Sequence, residues 1–348
     1  MATDFSRLEV PLGTPPMEAK LIAEIPNGEG WQYEPKWDGF RCLAFRDGPA
    51  IELMSKSGKP LARYFPEVAD ELRRVREQRF VIDGELILPL GEVLSFEALQ
   101  MRLHPAASRI AKLSRETPAQ LMVFDCLQLG AKSLIEASLS RRREQLEAFA
   151  AKAPGLRLSP ITFDRTVAEA WLERSGGALD GIVAKRRDQP YRPGERAMFK
   201  RKVQRTADCV VGGFRYDTAG TTIASLLLGL YDAENKLHHV GFTASFSAED
   251  RAALTPKLEA LKGASAFDGS APGGVSRWNR GRSTEWVPLR PELIVEVGYD
   301  QVTGQRFRHG TTFLRWRPDK APEQCLMDQL EPELRPAELF ELLARAAA

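Results

Sequence analysis

A lysine amine is a strong nucleophile only once it has lost its proton, and one lysine of this chain stands among groups that bear on that proton. In Glu34-Pro-Lys36-Trp-Asp38-Gly39-Phe-Arg41, Lys36 has an acid on either side and a guanidinium close behind. A neutral Lys36 attacking the α-phosphate of a nucleotide would form a phosphoramidate. Adjacent carboxylates alone would keep the amine charged, so a cation, either a metal ion or neighbouring lysines, has to depress its pKa. Gly39 would permit a tight turn that leaves Lys36 at the rim of a sheet. Taken alone, Lys-x-Asp-Gly also describes a surface hairpin turn closed by a salt bridge.

Downstream segments add to the chemistry. Alternation along Phe80-Val-Ile-Asp-Gly-Glu-Leu-Ile-Leu88 puts Asp83 and Glu85 on one face of a strand. Acids among Val, Ile and Leu need partners, because an unpaired buried charge is costly. A magnesium ion, which takes oxygen ligands and nucleotide phosphates, would be one; the alternative is a pair of strand-edge charges. Phe124-Asp125 ends an apolar strand and offers an aromatic face to a purine, unless Phe124 is simply core. Asp180-Gly-Ile-Val-Ala-Lys185 supplies a carboxylate and a lysine. In Phe199-Lys200-Arg-Lys202, two lysines share a strand face and could serve a triphosphate and tune Lys36.

These residues need a scaffold. Trp31 to Phe45 reads as a strand pair interrupted at Asp38-Gly39, and Phe80–Leu88, Leu121–Leu127 and 181–184 read as further strands. Helical spacing marks Phe65–Arg76, a helix starting at Ser95 with Phe96, Leu99 and Leu103 on one face, Leu139–Ala151 and Val167–Ser175. Beyond Lys202 the texture changes to short strands at Asp208–Tyr216, Leu226–Asp232, Leu237–Phe242, Leu293–Tyr299 and Thr312–Trp316, with one helix at Ala248–Leu261. Five strands and a helix suit an OB-type barrel. The expected architecture is α+β, with an N-terminal domain of antiparallel sheets and helices over 1–204 and a C-terminal OB-fold β-barrel with a tail over 205–348.

Composition sets limits. The 348 residues exceed one ordinary core. A 43% hydrophobic and 28% charged make-up is that of a globular protein. No apolar run approaches the ~18 residues of a membrane span, and Met1–Pro16 has no signal core, so export is not expected. Four scattered cysteines form no Cys-x-x-Cys pair, which suggests a reducing, cytoplasmic setting. Net charge is only +2, but Lys185–Arg205 holds nine Lys or Arg against two acids. A second basic cluster comprises Arg306, Arg308, Arg315, Arg317 and Lys320. Such clusters can neutralise phosphates or be plain solvated charge.

The order of these segments resembles the covalent nucleotidyltransferase superfamily and, within it, the ATP-dependent DNA ligases. The matching motifs are Lys36-Trp-Asp38-Gly39, Ser55-Lys56-Ser57-Gly58, Asp83-Gly84-Glu85 with Val123-Phe124-Asp125, Asp180 to Lys185, Lys200-Arg-Lys202, and Arg317-Pro-Asp319-Lys320. Tyr191-Arg-Pro-Gly-Glu-Arg196 and His309 to Lys320 look like the small bacterial ligase C branch and the ligase domain of end-joining enzymes. The family usually has Glu where Asp180 stands and Arg where Lys56 stands.

The resemblance implies a lysyl-AMP intermediate on Lys36, ATP with magnesium or manganese, and nicked duplex DNA as substrate, in DNA repair. Glu85 and Asp180 would serve the metal or ribose, Arg41 the ribose, Phe124 the adenine and Glu34 its selection. Lys185, Lys200 and Lys202 would hold phosphates, with Lys56 and Arg196 near the nucleotide or the nick phosphate. Asp38 belongs to the nucleophile motif, and Arg317, Asp319 and Lys320 would orient pyrophosphate. A hinge is expected at Val203 to Arg205. The resemblance further suggests a monomer of the bacterial cytoplasm or nucleoid, working with DNA-repair proteins. Rival readings are an mRNA-capping guanylyltransferase, an RNA ligase, and a non-catalytic OB-fold nucleic-acid-binding protein.

Overall fold

The computed structural model describes residues 5–90, 93–153, 155–174, 179–202, 205–272, 285–300 and 302–330. The chain forms two compact units, divided after Lys202.

The first unit is built on two sheets. One orders its strands as Ala19–Leu21, Met198–Lys202, Gly181–Arg186, Trp31–Lys36; the other as Arg157–Leu158, Gln120–Leu129, Arg79–Ile87, Phe40–Asp47, Ala50–Ser55. Pairing is antiparallel except where Ala19–Leu21 meets Met198–Lys202 and Arg157–Leu158 meets Gln120–Leu129. Strands Trp31–Lys36 and Phe40–Asp47 therefore lie in different sheets, contrary to the expected strand pair. The reason is visible at Gly39: a Cβ there would lie 2.0 Å from the Leu86 carbonyl oxygen, so the chain crosses between sheets by pressing its backbone against the next strand. The glycine serves close approach rather than a turn.

Helices cover the second sheet. Pro66–Arg74 buries Val68, Ala69 and Leu72, the apolar stripe legible in the sequence. Ser95 caps Phe96–Met101 by accepting from Ala98 N–H. Leu139–Ala150 follows the expected periodicity, as does Arg165–Arg174, which packs instead on the first sheet against Trp31–Lys36 and Gly181–Arg186; Ala107–Glu116, which buries Ile110, is a helix beyond those expected.

In the second unit one sheet runs Leu237–Thr243, Ile223–Tyr231, Arg205–Tyr216, Ile294–Tyr299, Thr312–Trp316. The helix is Ala248–Glu259, opened by a capping box of Ser247 and Asp250. This is the expected OB-type arrangement, left open among the described residues: the outer strands come together through the bridge Thr243–Thr311, where the Thr243 hydroxyl donates to Thr311 O (3.0 Å). One bridge pins the curvature without continuing the ladder.

His239 lies buried in this unit, beside Phe267 at 5.5 Å between ring centroids. Arg306 Nη2 donates to its Nδ1 (2.6 Å), and among the described residues its Nε2 has no partner. Burial, with Arg306 and Arg215 nearby, pushes its pKa down to about 3 from an ordinary 6.5. The folded pKa lies below the unfolded one, so the contribution is intact above pH 6.5 and is lost as pH falls from 6.5 towards 3. We expect H239N to lose stability less steeply than the parent chain over that interval. Parallel slopes in thermal melts across pH would contradict this.

Candidate active site

Register brings the reactive residues together. On the first sheet Lys36 pairs with Gly181 and Gly181 with Lys202; one row away Glu34 pairs with Val183 and Val183 with Lys200. Period-two alternation gives Lys36, Glu34, Lys200 and Lys202 one face. Gly181 has φ +148°, and a Cβ would stand 2.1 Å from Arg201 O, so no side chain separates Lys36 from Lys202. Asp180, its backbone N–H donating to Lys36 O (3.0 Å), reaches across the gap. Its carboxylate accepts from Lys36 Nζ and lies 3.4 Å from Lys202 Nζ. Lys200, partly buried and crowded by Lys36, Lys202 and Lys56, has its pKa lowered.

The second sheet supplies the other wall. Arg41 Nε and Nη2 each donate to a different oxygen of Asp83 at 2.6 Å, and the Tyr191 hydroxyl donates to Asp83 Oδ2 (2.7 Å) while accepting from Met17 N–H (2.8 Å). Burial works against the Arg41 charge, but Asp83 outweighs it and raises the pKa. Asp83 and Glu85 do share a strand face, yet only Glu85 is left facing the cavity, since Asp83 is fully buried under Arg41 and Tyr191. Burial pushes Glu85 up to about 7 despite Arg41 and Lys36 close by.

Phe124 carries two cations over its ring, Arg41 at 4.7 Å and Lys185 Nζ at 4.6 Å. Lys185 also donates to Glu34 Oε2 (2.8 Å), and Gln32 Nε2 to Glu34 Oε1 (2.8 Å). Both ends of that ion pair are almost fully buried. Asp125 does not end its strand, which continues to Leu129; it sits in the core, held below the ordinary carboxylate range by Arg142 against the effect of burial.

A cavity of about 930 Å³ collects Glu34, Lys36, Arg41, Lys56, Glu85, Phe124, Lys185 and Lys200 on its walls. Asp180, paired with both Lys36 and Lys202, is not among the lining residues, and neither is Lys202. Arg196 is exposed, 3.9 Å from Glu18, which also takes Lys56 at 3.0 Å. Asp38 lies close enough to Glu85 to raise its pKa. Sequence reading missed Glu18, Arg63, Tyr64 and Leu103 of the rim, which no motif marks. It also missed the lock of Trp37 Nε1 on Ser159 Oγ (2.9 Å). The volume and lining suit a nucleotide. Glu85 on the cavity wall and Asp180 beside Lys36 offer the oxygen donors that a divalent cation takes together with phosphate and water; among the described residues no group of three acids, histidines or cysteines could hold one alone.

In the second unit Arg317 and Lys320 meet at Asp208, and Arg317 also donates to Asp319. Arg315 donates to Glu296 (2.6 Å). Three cations of the expected basic cluster, Arg315, Arg317 and Lys320, are thus paired with acids.

A family model described as ATP dependent DNA ligase domain matches residues 16–202, and one described as ATP dependent DNA ligase C terminal region matches 219–320. The chain belongs to the ATP-dependent DNA ligases. This ligase is 44% identical over 349 residues to DNA ligase C1 of Mycolicibacterium smegmatis, covering 97% of this chain and 99% of that one. DNA ligase C of Mycobacterium tuberculosis is 42% identical over 350 residues, covering 94% and 97%. A solved structure described as "DNA binding with a minimal scaffold: Structure-function analysis of Lig E DNA ligases" shares the fold at 17% identity and a TM-score of 0.54, covering 87% of this chain and 99% of that one. Family membership sets aside the capping-enzyme and non-catalytic readings.

Glu34→Gln leaves the buried Lys185 ammonium of this ligase without its carboxylate. Removing one partner of a buried pair costs about 3–5 kcal/mol, and urea unfolding of E34Q is expected to show a loss of that order. A loss below about 1 kcal/mol would mean that water reaches the pair.

Proposed function

We propose that this ligase seals nicks in duplex DNA through three in-line displacements at phosphorus, with Lys36 as the covalent carrier of AMP. One observation carries the reading: Lys36 lies in a nucleotide-sized cavity, bound by Asp180, between a wall of lysines and a wall bearing Arg41 and Phe124. In the first step the Lys36 amine bonds to the α-phosphorus of ATP, the bond to the bridging oxygen breaks, and pyrophosphate leaves. AMP then passes to the 5′-phosphate at the nick. The 3′-hydroxyl finally attacks that phosphate and AMP departs. Positioning and charge neutralisation do most of such catalysis.

Phe124 stacks on adenine, Glu34 takes part in selecting it, and Arg41, fixed by Asp83, holds the ribose. Lys185, Lys200 and Lys202 hold phosphates, and Lys56 and Arg196 approach the nick phosphate once Glu18 releases them. Lys56 is a point charge where the family has a planar guanidinium, so its grip is less directional. Asp38 sits beside Glu85 in the nucleophile loop. Glu85 and Asp180 would hold a magnesium or manganese ion, which when bound neutralises phosphate charge. Arg317 and Lys320 orient pyrophosphate, with Asp319 paired to Arg317 until it arrives, which requires the second unit to serve the first step; the expected hinge falls on Val203 and Gln204, outside the described residues, and on Arg205. The setting is repair in a reducing compartment, in keeping with four free, buried cysteines.

Lys36→Ala should abolish sealing of a labelled nicked duplex with ATP, assayed beside an RNA-containing nick. Retained sealing overturns the mechanism, and faster joining of the RNA nick would favour the RNA ligase reading. In the second unit Arg215 and Arg306 have no carboxylate partner among the described residues, and burial lowers the pKa of Arg215. Unneutralised guanidiniums suit DNA phosphates. R215A and R306A are each expected to reduce the salt dependence of nicked-DNA affinity, by a slope of roughly 1, with lysyl-AMP formation unchanged. An unaltered slope would remove these arginines from the interface.

A further inference from the structure

Asp208 is the organising acid of the second unit, and no motif points to it. It lies near the start of strand Arg205–Tyr216, in register with Glu296 on the neighbouring strand. Two acids side by side on adjacent strands repel unless cations sit between them. Here the cations come from the far end of the sequence. Arg317 Nη1 donates to both Asp208 oxygens, at 2.8 and 3.0 Å, and Lys320 Nζ donates to Oδ2 at 2.5 Å. The Asp208 backbone is clamped as well: its N–H donates to Gln329 Oε1 (3.0 Å), and Gln329 Nε2 donates to its carbonyl (3.3 Å).

Arg317 has a second acid partner of a different kind. Its Nε and Nη2 donate to Asp319 at 2.9 and 2.7 Å. The Asp319 side chain is 61% exposed, whereas that of Asp208 is 10% exposed. An exposed ion pair is weak and screened, so another anion can take its place. A buried carboxylate shared by two cations cannot leave without stranding charge. Of the two, Asp208 is the fixed support and Asp319 the exchangeable partner.

We propose that Asp208 is a positioning residue for the first chemical step, holding Arg317 and Lys320 in one fixed fork whose remaining donors meet the leaving pyrophosphate. This rests on the reading that Arg317 and Lys320 act on pyrophosphate. The buried aspartate sets the spacing and direction of the two cations, and the arriving polyphosphate takes over from Asp319.

The test separates steps. Single-turnover transfer of labelled AMP from ATP to Lys36 is measured in D208N, D208E and R317A, beside sealing of a nicked duplex that already carries a 5′-adenylate. D208N should slow lysyl-AMP formation by roughly ten- to a hundredfold, the scale of a misplaced catalytic group, with apparent ATP affinity changed far less. Sealing of the pre-adenylated nick should stay near the parent rate, which also reports that the protein is folded. D208E, keeping the carboxylate, should recover part of the loss. Normal lysyl-AMP formation in D208N with an impaired R317A overturns the positioning role alone. Normal formation in both overturns the reading of Arg317. Equal loss of both steps in D208N makes Asp208 a fold determinant only and overturns the proposal.

Discussion

One carboxylate between two ammonium groups governs this molecule. Asp180 reaches Lys36 on one side and Lys202 on the other, across a glycine whose missing side chain opens the way. The arrangement needs three strands in correct register, because Lys36, Gly181 and Lys202 come from widely separated stretches and meet only as cross-strand neighbours. A slip of one residue in any of these strands would turn its lysine to the opposite face. The fold of the first sheet is thus inseparable from the chemistry it supports. The Asp180 backbone N–H is itself bonded to the Lys36 carbonyl, which keeps this short acid beside the lysine.

The two walls of the cavity solve different electrostatic problems. The wall around Phe124 is ordered by buried pairs, Arg41 with Asp83 and Tyr191, and Lys185 with Glu34. Breaking any of these leaves an isolated charge, so they act as rigid spacers that hold an aromatic face and a guanidinium in place. On the lysine wall, burial and then the neighbouring Lys36, Lys202 and Lys56 lower the pKa of Lys200, and the gathered cations favour an incoming polyphosphate. In the second unit Arg317, Arg315 and Lys320 are balanced by Asp208, Glu296 and Asp319, whereas Arg215 and Arg306 have no carboxylate partner among the described residues.

Much of this was legible in the sequence, and the gaps have physical causes. Alternation placed Asp83 with Glu85 and Lys200 with Lys202, since strand period is a local property. Alternation could not reveal that Asp83 is claimed by Arg41 and by Tyr191, 108 residues away, because partners across a sheet are set by topology. The same blindness read Trp31 to Phe45 as a strand pair interrupted at Asp38-Gly39, although its strands belong to separate sheets. The cluster from Arg306 to Lys320 read as free positive charge because its acids, Asp208 and Glu296, lie on other strands. The OB-type architecture was legible in the strand count, which does not say how far the edge strands pair; among the described residues they share one bridge.

The central claim is that Lys36 alone becomes the covalent holder of adenylate. It is tested most directly by incubating the purified protein with ATP and a divalent metal, then locating any adduct by intact-mass analysis and peptide mapping. The account requires a single AMP on Lys36, removed by added pyrophosphate. An adduct on another side chain, or none under any metal condition, would contradict it.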